Sequence, residues 1–361
     1  MDPNKPPRRV TIYDVATALG TSPSAVSAVL NGTWRKRRIS QGLADRIEAA
    51  AAAAGYAVNL QAAGLRRERS RIVGMILPKY DNRYFGEIAE RFEAMARARE
   101  LFPIITCALR DPELEARAAK TMVSHQVDWL VATGATDPDA IAALCAAAGV
   151  PTFNLDLPGR RAPSVISDNF AGALDVARQV LDACELEFGV AEPMLFIGGR
   201  AGDHNTRERL RGFHAAHAER GLRVPAELVH TAGYAAEKAE HALNRLASRR
   251  RTLPTGFFVN STISLEGVVR WLRGRGEAEL PVRLGCFDFD PFAELLPEAV
   301  AMVRQDVDAL LATLFRLIDE RTTAPAADVD PAPVVLVPPL GSARLGSRRG
   351  LPPRDATSAA G

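Results

Sequence analysis

Between Val10 and Gly55 the apolar residues recur at the spacing of amphipathic helices. Ile12, Val15, Ala16 and Leu19 predict a first helix, closed by Gly20, which accepts the left-handed turn a helix end needs. Ser22 is placed to cap a second helix. Pro23 suits its first turn, where the N–H that proline lacks has no partner anyway. In that helix Val26, Val29 and Leu30 form an inward stripe, so Ser24, Ala25, Ser27 and Ala28 are expected to face outward. Ser40 caps a third helix reaching Ala54, with Leu43, Ala44, Ile47, Ala50 and Ala51 on one face. Trp34, just before the third helix, is expected to pack against it, with a sugar-phosphate backbone as the alternative neighbour. Two short helices around a tight turn, the second with a small polar face, are the form that enters a DNA major groove.

A short helical stretch, Leu60–Arg67, and a charged link through Arg71 follow. Two turns of helix are marginal alone, so this stretch calls for a partner helix or DNA. From Ile72 the pattern changes to short β-rich runs between longer helical ones. Strands are expected at Ile72–Leu77, Pro103–Ala108, Trp129–Thr133, Thr152–Leu155, Met194–Ile197, Leu228–Thr231, Gly256–Val259, Leu284–Phe287 and, last, Val334–Val337, with another short strand just before Asp168. Helical stretches such as Ile88–Glu100, Ala171–Ala183 and Arg207–Arg220 fall between them. Such alternation predicts an α/β core of doubly wound parallel sheets in two lobes, with a ligand cleft at the carboxyl ends of the strands.

Charge sharpens this division. Residues 1–71 hold 12 Lys or Arg against 5 Asp or Glu, while the remainder holds 33 against 38. A basic head on an acidic body fits nucleic acid as the head's partner. The run Arg35-Lys36-Arg37-Arg38 is too charged for a core and suits phosphate contact. Cys107, Cys145, Cys184 and Cys286 are scattered, so small buried hydrophobes in a reducing compartment are expected and no metal site. The N-terminus lacks an apolar signal segment and no run reaches a bilayer's width, so a cytoplasmic protein without membrane contact is expected, nucleoid-associated when on DNA. Gly198-Gly199-Arg200-Ala201-Gly202 matches neither a dinucleotide fingerprint nor a P-loop, and no nucleophile elbow or zinc-protease motif occurs. The expectation is therefore no enzyme and no cofactor. An enzyme on the same fold and a sugar-binding protein without DNA function are the alternatives.

The run V-T-I-Y-D-V-A, then G-T-S-P-S-A-V-S, V-L-N-G and N-x-x-A-x-x-L-R, in that order, resembles the lactose-repressor family of bacterial transcription regulators, from residue 10 to about 345. Asn31-Gly32, the basic stretch, Arg38-Ile39-Ser40, Ala63-Gly64-Leu65-Arg66 and Pro78-x-x-x-Asn82 are similar to its fructose-repressor or catabolite repressor-activator branch. The resemblance implies a helix-turn-helix domain over 1–57, a hinge helix and linker over 58–71, a two-lobed core like periplasmic binding proteins over 72–346, and a disordered tail over 347–361. Lobe 1 is expected at about 72–168 and 304–331, lobe 2 at about 169–303 and 332–346.

The resemblance also implies roles. Thr11, Ser22, Ser24, Ala25, Ser27, Ala28 and Asn31, with Arg35, Lys36, Arg37 and Arg38, are expected at DNA, as are Asn59, Ala62 and Leu65 of the hinge. Leu65 would wedge a minor-groove step, with packing against residues 40–54 as its alternative. Family members often carry arginine where Ala28 stands, so the operator sequence does not transfer. Asp81, Asn82, Tyr84, Phe85, Asp156, Arg209, Asn260 and Asp288 are expected around a sugar or sugar-phosphate effector, with Gln305-Asp306 at a lobe crossing. Leu157 stands where relatives often have arginine, which weakens the case for a phosphate, and Ser261 where they often have aspartate. His204 and Arg207 are more readily solvated loop residues than substitutes, and Asp168 fits a helix cap as well as a ligand contact. The expected partners are double-stranded operator DNA, one small effector and a second copy of the chain. A homodimer is favoured over a tetramer because no heptad-bearing tail follows the core.

Overall fold

The computed structural model describes residues 10–56, 69–275, 280–323 and 332–344. They fall into two compact units, Met1–Ser70 and Arg71–Gly361. The expected hinge residues Asn59, Ala62 and Leu65, and the tail 347–361, lie outside the described residues.

In the head, α1 (Ile12–Leu19), α2 (Pro23–Leu30) and α3 (Gln41–Ala53) surround a small core of Val15, Ala16, Val26, Val29, Ala44, Ile47 and Ala51. Fully burying a side chain such as Val26 or Ile47 contributes about 1.5–3 kcal/mol. Gly20 closes α1 in the left-handed conformation, φ 63°. Trp34 is half-buried against this core, the packing expected of it. Ala28 departs from expectation. It is only 3% exposed and so belongs to the interior of the head. Ala28 extends the buried side of α2 beyond Val26 and Val29, where the chain folds back over the end of the helix. Thr33 N–H donates to the Ala28 carbonyl at 2.8 Å there.

The second unit contains two six-stranded sheets. Lobe 1 is built on β1 (Ile72–Leu77), β2 (Phe102–Cys107), β3 (Trp129–Thr133), β4 (Thr152–Leu155), β5 (Ser164–Ser167) and β11 (Val334–Val337), in the order β11-β5-β4-β3-β1-β2, all parallel. Lobe 2 is built on β6 (Leu195–Ile197), β7 (Val229–His230), β8 (Gly256–Val259), β9 (Arg283–Phe287), β10 (Ala299–Val303) and β12 (Ser342–Arg344), in the order β12-β10-β9-β8-β6-β7. Only the β10–β12 pair in that sheet is antiparallel. The connecting helices are α4 (Arg83–Ala98), α5 (Pro112–Ser124), α6 (Pro138–Ala147), α7 (Asn169–Phe188), α8 (His204–Ala218), α9 (Ala236–Arg249), α10 (Thr262–Arg273) and α11 (Val307–Thr323). Buried runs such as Val-Gly-Met-Ile-Leu in β1 are apolar on both faces because helices cover both faces of a parallel sheet.

The segment 332–346, expected in lobe 2, is divided between the lobes. β11 runs beside β5 from Val334 opposite Ser164 to Val337 opposite Ser167, so it belongs to lobe 1. Its helix explains this. Leu310, Leu311, Leu314, Phe315 and Ile318 of α11 complete the lobe 1 core, and the chain leaving α11 fills the open edge of the sheet under it. Only β12 crosses to lobe 2. β10 and β12 were not expected as strands: Ala-Val-Ala-Met-Val in β10 has no polar alternation to mark it, and β12 is only three residues long.

Candidate functional site

The head offers a face built largely from helix caps. Thr11 and Asp14 form a reciprocal box: Thr11 N–H and hydroxyl both donate to Asp14 Oδ2 at 2.7 Å. Ser22 Oγ accepts from Ala25 N–H at 3.2 Å and sits 2.9 Å from Ser24 Oγ. Asn31 closes α2, its amide donating to the Ser27 carbonyl at 2.8 Å. Thr11, Ser22 and Asn31 therefore shape the face as caps. Ser24 is exposed, and Ala25 and Ser27 are half-exposed along the same helix. Arg35–Arg37 form a single 3-10 turn, Arg38 follows at φ 56°, and all four cations are exposed. Tyr13 was missed by the sequence reading. It is 67% exposed on α1, and its position off the apolar stripe was the available signal.

In the core, strand ends deliver polar groups to the space between the lobes. Asp156 follows β4 and Asp288 follows β9, and both adopt left-handed backbone, φ 73° and 76°. Aspartate tolerates that region better than most residues, yet two such positions store strain, which marks a site held for a purpose. Gly134, at the end of β3 with φ 54°, leaves room: a Cβ there would lie 3.1 Å from Asp156 Oδ2 and 3.2 Å from the Phe85 ring.

The buried polar groups form one chain across both lobes. Asn205 of α8 donates to Asp156 Oδ1 at 3.2 Å, and Asn169 of α7 donates to Asn205 Oδ1 at 3.1 Å. Arg209 Nε donates to Asn169 Oδ1 at 2.8 Å, and its Nη1 donates to the Asn260 carbonyl at 2.6 Å. The Arg209 guanidinium lies 3.6 Å from the Phe287 ring centroid. Gln305 donates to Asp288 Oδ1 and accepts from Ser167 Oγ, which ties a lobe crossing to the site. The Asn260 side chain is fully buried, and neither its amide nitrogen nor its oxygen has a protein partner. The buried Tyr84 hydroxyl lies near enough to Asp156 and Asp288 for their charges to raise its pKa, chiefly on top of burial, but makes no well-formed hydrogen bond. Buried polar atoms left without partners are costly, so they point to a ligand's place.

Burial pushes the Asp156 carboxyl up to about 6, against the opposing pull of Arg110 and then Arg209. Asp288 is raised for the same reason, with Arg209 the largest opposing influence. Arg110 and Tyr234 were not singled out from sequence. Arg110 lies with its guanidinium 5.7 Å from the Phe85 centroid in lobe 1 and 4.8 Å from the Tyr234 centroid in lobe 2. No local pattern marks it, since the pairing exists only once two distant loops meet.

Some expected residues stand elsewhere. Asp81 remains at the surface, paired with Lys79 at 3.5 Å, because it precedes α4 on an exposed turn. Asn82 is buried as the cap of α4, its Oδ1 accepting from Tyr84 N–H at 2.9 Å, so it positions Tyr84 and Phe85. Asp168 caps α7 through Ala171 N–H at 2.9 Å. Arg207 is exposed and bonds the Gly202 carbonyl, as a loop residue does. All four cysteines are free, and among the described residues no cluster suits a metal ion and no helix is long and apolar enough to cross a membrane.

Comparison with known proteins supplies the family. Residues 11–59 match the profile described as bacterial regulatory proteins, lacI family, and residues 73–300 match a periplasmic binding protein domain. The ribitol operon repressor of Klebsiella aerogenes is 59% identical over 193 residues, covering 54% of this chain and 72% of that protein. The chain belongs to the LacI family. This LacI-family protein is thus a regulator of transcription and not an enzyme. The fructose operon regulatory protein of Vibrio cholerae is 27% identical over 304 residues, 83% of this chain and 90% of that one. The ribitol relative thus stands at about twice the identity of a member of the fructose branch. The lac repressor dimer bound to operator and the anti-inducer ONPF superposes with a TM-score of 0.75 at 19% identity, over 94% of this chain and 99% of that one. That likeness establishes the fold.

Proposed function

We propose that this LacI-family protein is a cytoplasmic repressor of a polyol or sugar operon, released from its operator by a small polyhydroxylated effector held between the core lobes. The observation that carries this reading is the buried chain Asp156–Asn205–Asn169–Arg209–Asn260, ending on an asparagine side chain with no protein partner. Carboxylates and amides converging at strand ends match hydroxyl groups, and an effector that bridges the lobes favours one lobe arrangement over another. The 59% identity to a ribitol operon repressor makes the five-carbon polyols and sugars the first to test.

At the DNA, Ser24, Ala25 and Ser27 face the bases, while Tyr13 and Arg35–Arg38 hold phosphates. Leu65 serves as the minor-groove wedge, supported by the hinge of a second copy in a homodimer. The dimer's two-fold axis predicts a near-palindromic operator. The test is a gel shift of the full chain on DNA flanking its own gene, titrated with five-carbon polyols and sugars at stated salt. Release of a symmetric site is the expected result. Deleting residues 1–71 should abolish the shift while effector binding persists. A shift that survives the deletion, or resists every effector, overturns the reading.

A further inference from the structure

The chain passes between the lobes after β5, after β10 and after β11. Those strands lie together at one edge of each sheet: β11 and β5 begin the lobe 1 order, and β12 and β10 begin the lobe 2 order. Lobes joined along one edge part most widely at the other. The strands at that other edge are β2 in lobe 1 and β7 in lobe 2. The loop leaving β2 carries Arg110, and the loop leaving β7 carries Tyr234. The Arg110 guanidinium lies 4.8 Å from the Tyr234 ring centroid, so the two loops meet across the mouth of the cleft, on the side away from the crossings.

Each loop is built to present its side chain. In lobe 2, Gly233 takes φ 105° and its N–H donates to the Gly199 carbonyl at 2.7 Å, while the Tyr234 hydroxyl sits 3.2 Å from Thr206 Oγ1. In lobe 1, the Arg110 carbonyl accepts from the Thr136 hydroxyl at 3.2 Å. The Arg110 guanidinium donates to the Gly134 carbonyl at 3.4 Å and lies 5.7 Å from the Phe85 ring centroid. Leu109 and Arg110 both adopt left-handed backbone, φ 52° and 57°, the one adjacent pair of non-glycine residues to do so among the described residues. Leu109 is 63% exposed, so its own packing does not hold it there. Strained backbone persists where surrounding contacts over-determine it, and here those contacts are made by Arg110. Arg83 of α4 also crosses, to Asp290 at 3.2 Å, but a half-exposed ion pair adds little.

We propose that Arg110 and Tyr234 form a latch across the mouth of the cleft: the guanidinium of lobe 1 stacks on the ring of lobe 2 when the lobes close, and holds the effector in without touching it. This rests on the effector reading above. The stack needs both loops together, so it is made in the closed arrangement and lost when the lobes part. It therefore raises affinity for any ligand that binds the closed arrangement, by no more than the stack itself contributes. For a cation over a half-buried ring that is roughly 3- to 30-fold.

The experiment is hydrogen exchange on the full chain, without DNA, read at residues 108–111 and 231–235. Arg110→Ala should speed exchange at 231–235 in the opposite lobe, and Tyr234→Leu should speed it at 108–111. Tyr234→Phe, which keeps the ring, should retain most of the protection at 108–111. A residue that merely supported its own loop would disturb its own lobe alone. Either single variant serves, so the test survives the misfolding of one. Calorimetric titration with ribitol should then show each of Arg110→Ala and Tyr234→Leu binding roughly 3- to 30-fold more weakly. The double variant should bind no more weakly than the weaker single one, because both substitutions remove the same contact. Exchange unchanged across the cleft in a folded variant, or losses that multiply in the double variant as two separate ligand contacts would, overturns the proposal. Failure of ribitol and every other five-carbon polyol or sugar to bind the wild-type chain overturns the effector reading instead, and exchange across the cleft still decides the latch.

Discussion

The head and the core solve opposite problems. The head keeps its working groups outside: a face of capping hydroxyls, small side chains and four exposed cations over a core of seven buried residues. The core keeps its working groups inside, where two aspartates, an arginine and three asparagines are each less than a tenth exposed. Exposed groups cost the fold little and act through a partner's charge. Buried ones must largely be satisfied among themselves, and a gap such as the unpartnered Asn260 side chain carries a cost until a ligand fills it. Substitutions in the core should therefore register first as stability, and those on the head's outer face as affinity.

The largest expected effect is in the cleft. Arg209→Leu removes one of the two cations acting on Asp156 and Asp288 and strips the buried Asn169 and Asn260 oxygens of their donor, and the core should lose about 3–5 kcal/mol in urea unfolding, at about 1–3 kcal/mol for each orphaned acceptor. A loss below about 1 kcal/mol would mean that the carboxylates are hydrated and the contrast with the head is false.

Next comes Asp156. Its folded pKa of about 6 lies above the ordinary aspartate value, so its contribution to stability is fully present below pH 4 and is lost as pH rises through 6. At pH 7 that loss amounts to about 3 kcal/mol. Asp156→Asn should raise the core's melting temperature at pH 7 and gain nothing at pH 4, while abolishing effector binding. The difference between variant and wild type is the quantity to follow. His204, His214, His217 and His230, lowered chiefly by burial, act in the opposite sense over the same range.

Ala28→Arg tests the boundary between the two behaviours inside the head. Because Ala28 is buried, an arginine there should cost the head about 1–3 kcal/mol and weaken binding to every DNA sequence alike. Ser24→Arg, one turn earlier and exposed, should instead change which operator is preferred. A stable Ala28→Arg head with altered preference would reverse the assignment of that face.

The smallest effect on folding belongs to the cations. Lys36→Gln and Arg37→Gln should leave the melting temperature nearly unchanged. Each should reduce the slope of log affinity against log salt by about 1.

The same contrast decides what could be read from the sequence. The head's caps, turn glycine and apolar stripes are local, and Gly20, Ser22 and Ser40 sit where their spacing placed them, while Thr11 and Asn31, expected only as DNA contacts, are caps as well. Ala28 was misjudged because α2 buries nearly half its circumference, wider than the stripe of Val26, Val29 and Leu30 alone. In the core, strand-end residues such as Asp156, Asn260 and Asp288 were legible because a strand followed by a polar residue is also local. Arg110, Tyr234, Asn169 and Asn205 acquire meaning from neighbours 24 or more positions away, across a fold that periodicity does not encode. β11 went to the wrong lobe for the same reason. A strand's sequence carries its faces but not its partner.

The division of lobe 1 among distant segments has a consequence for the protein's birth. α11 and β11, at 307–323 and 334–337, supply part of that lobe's core and its edge strand, so the lobe cannot close until nearly the whole chain has left the ribosome. The head, made entirely of contiguous residues, can fold hundreds of residues earlier. A nascent chain therefore carries a finished DNA reader well before it has a cleft to be controlled by, and translation that stalls before residue 307 would release a head that no effector governs.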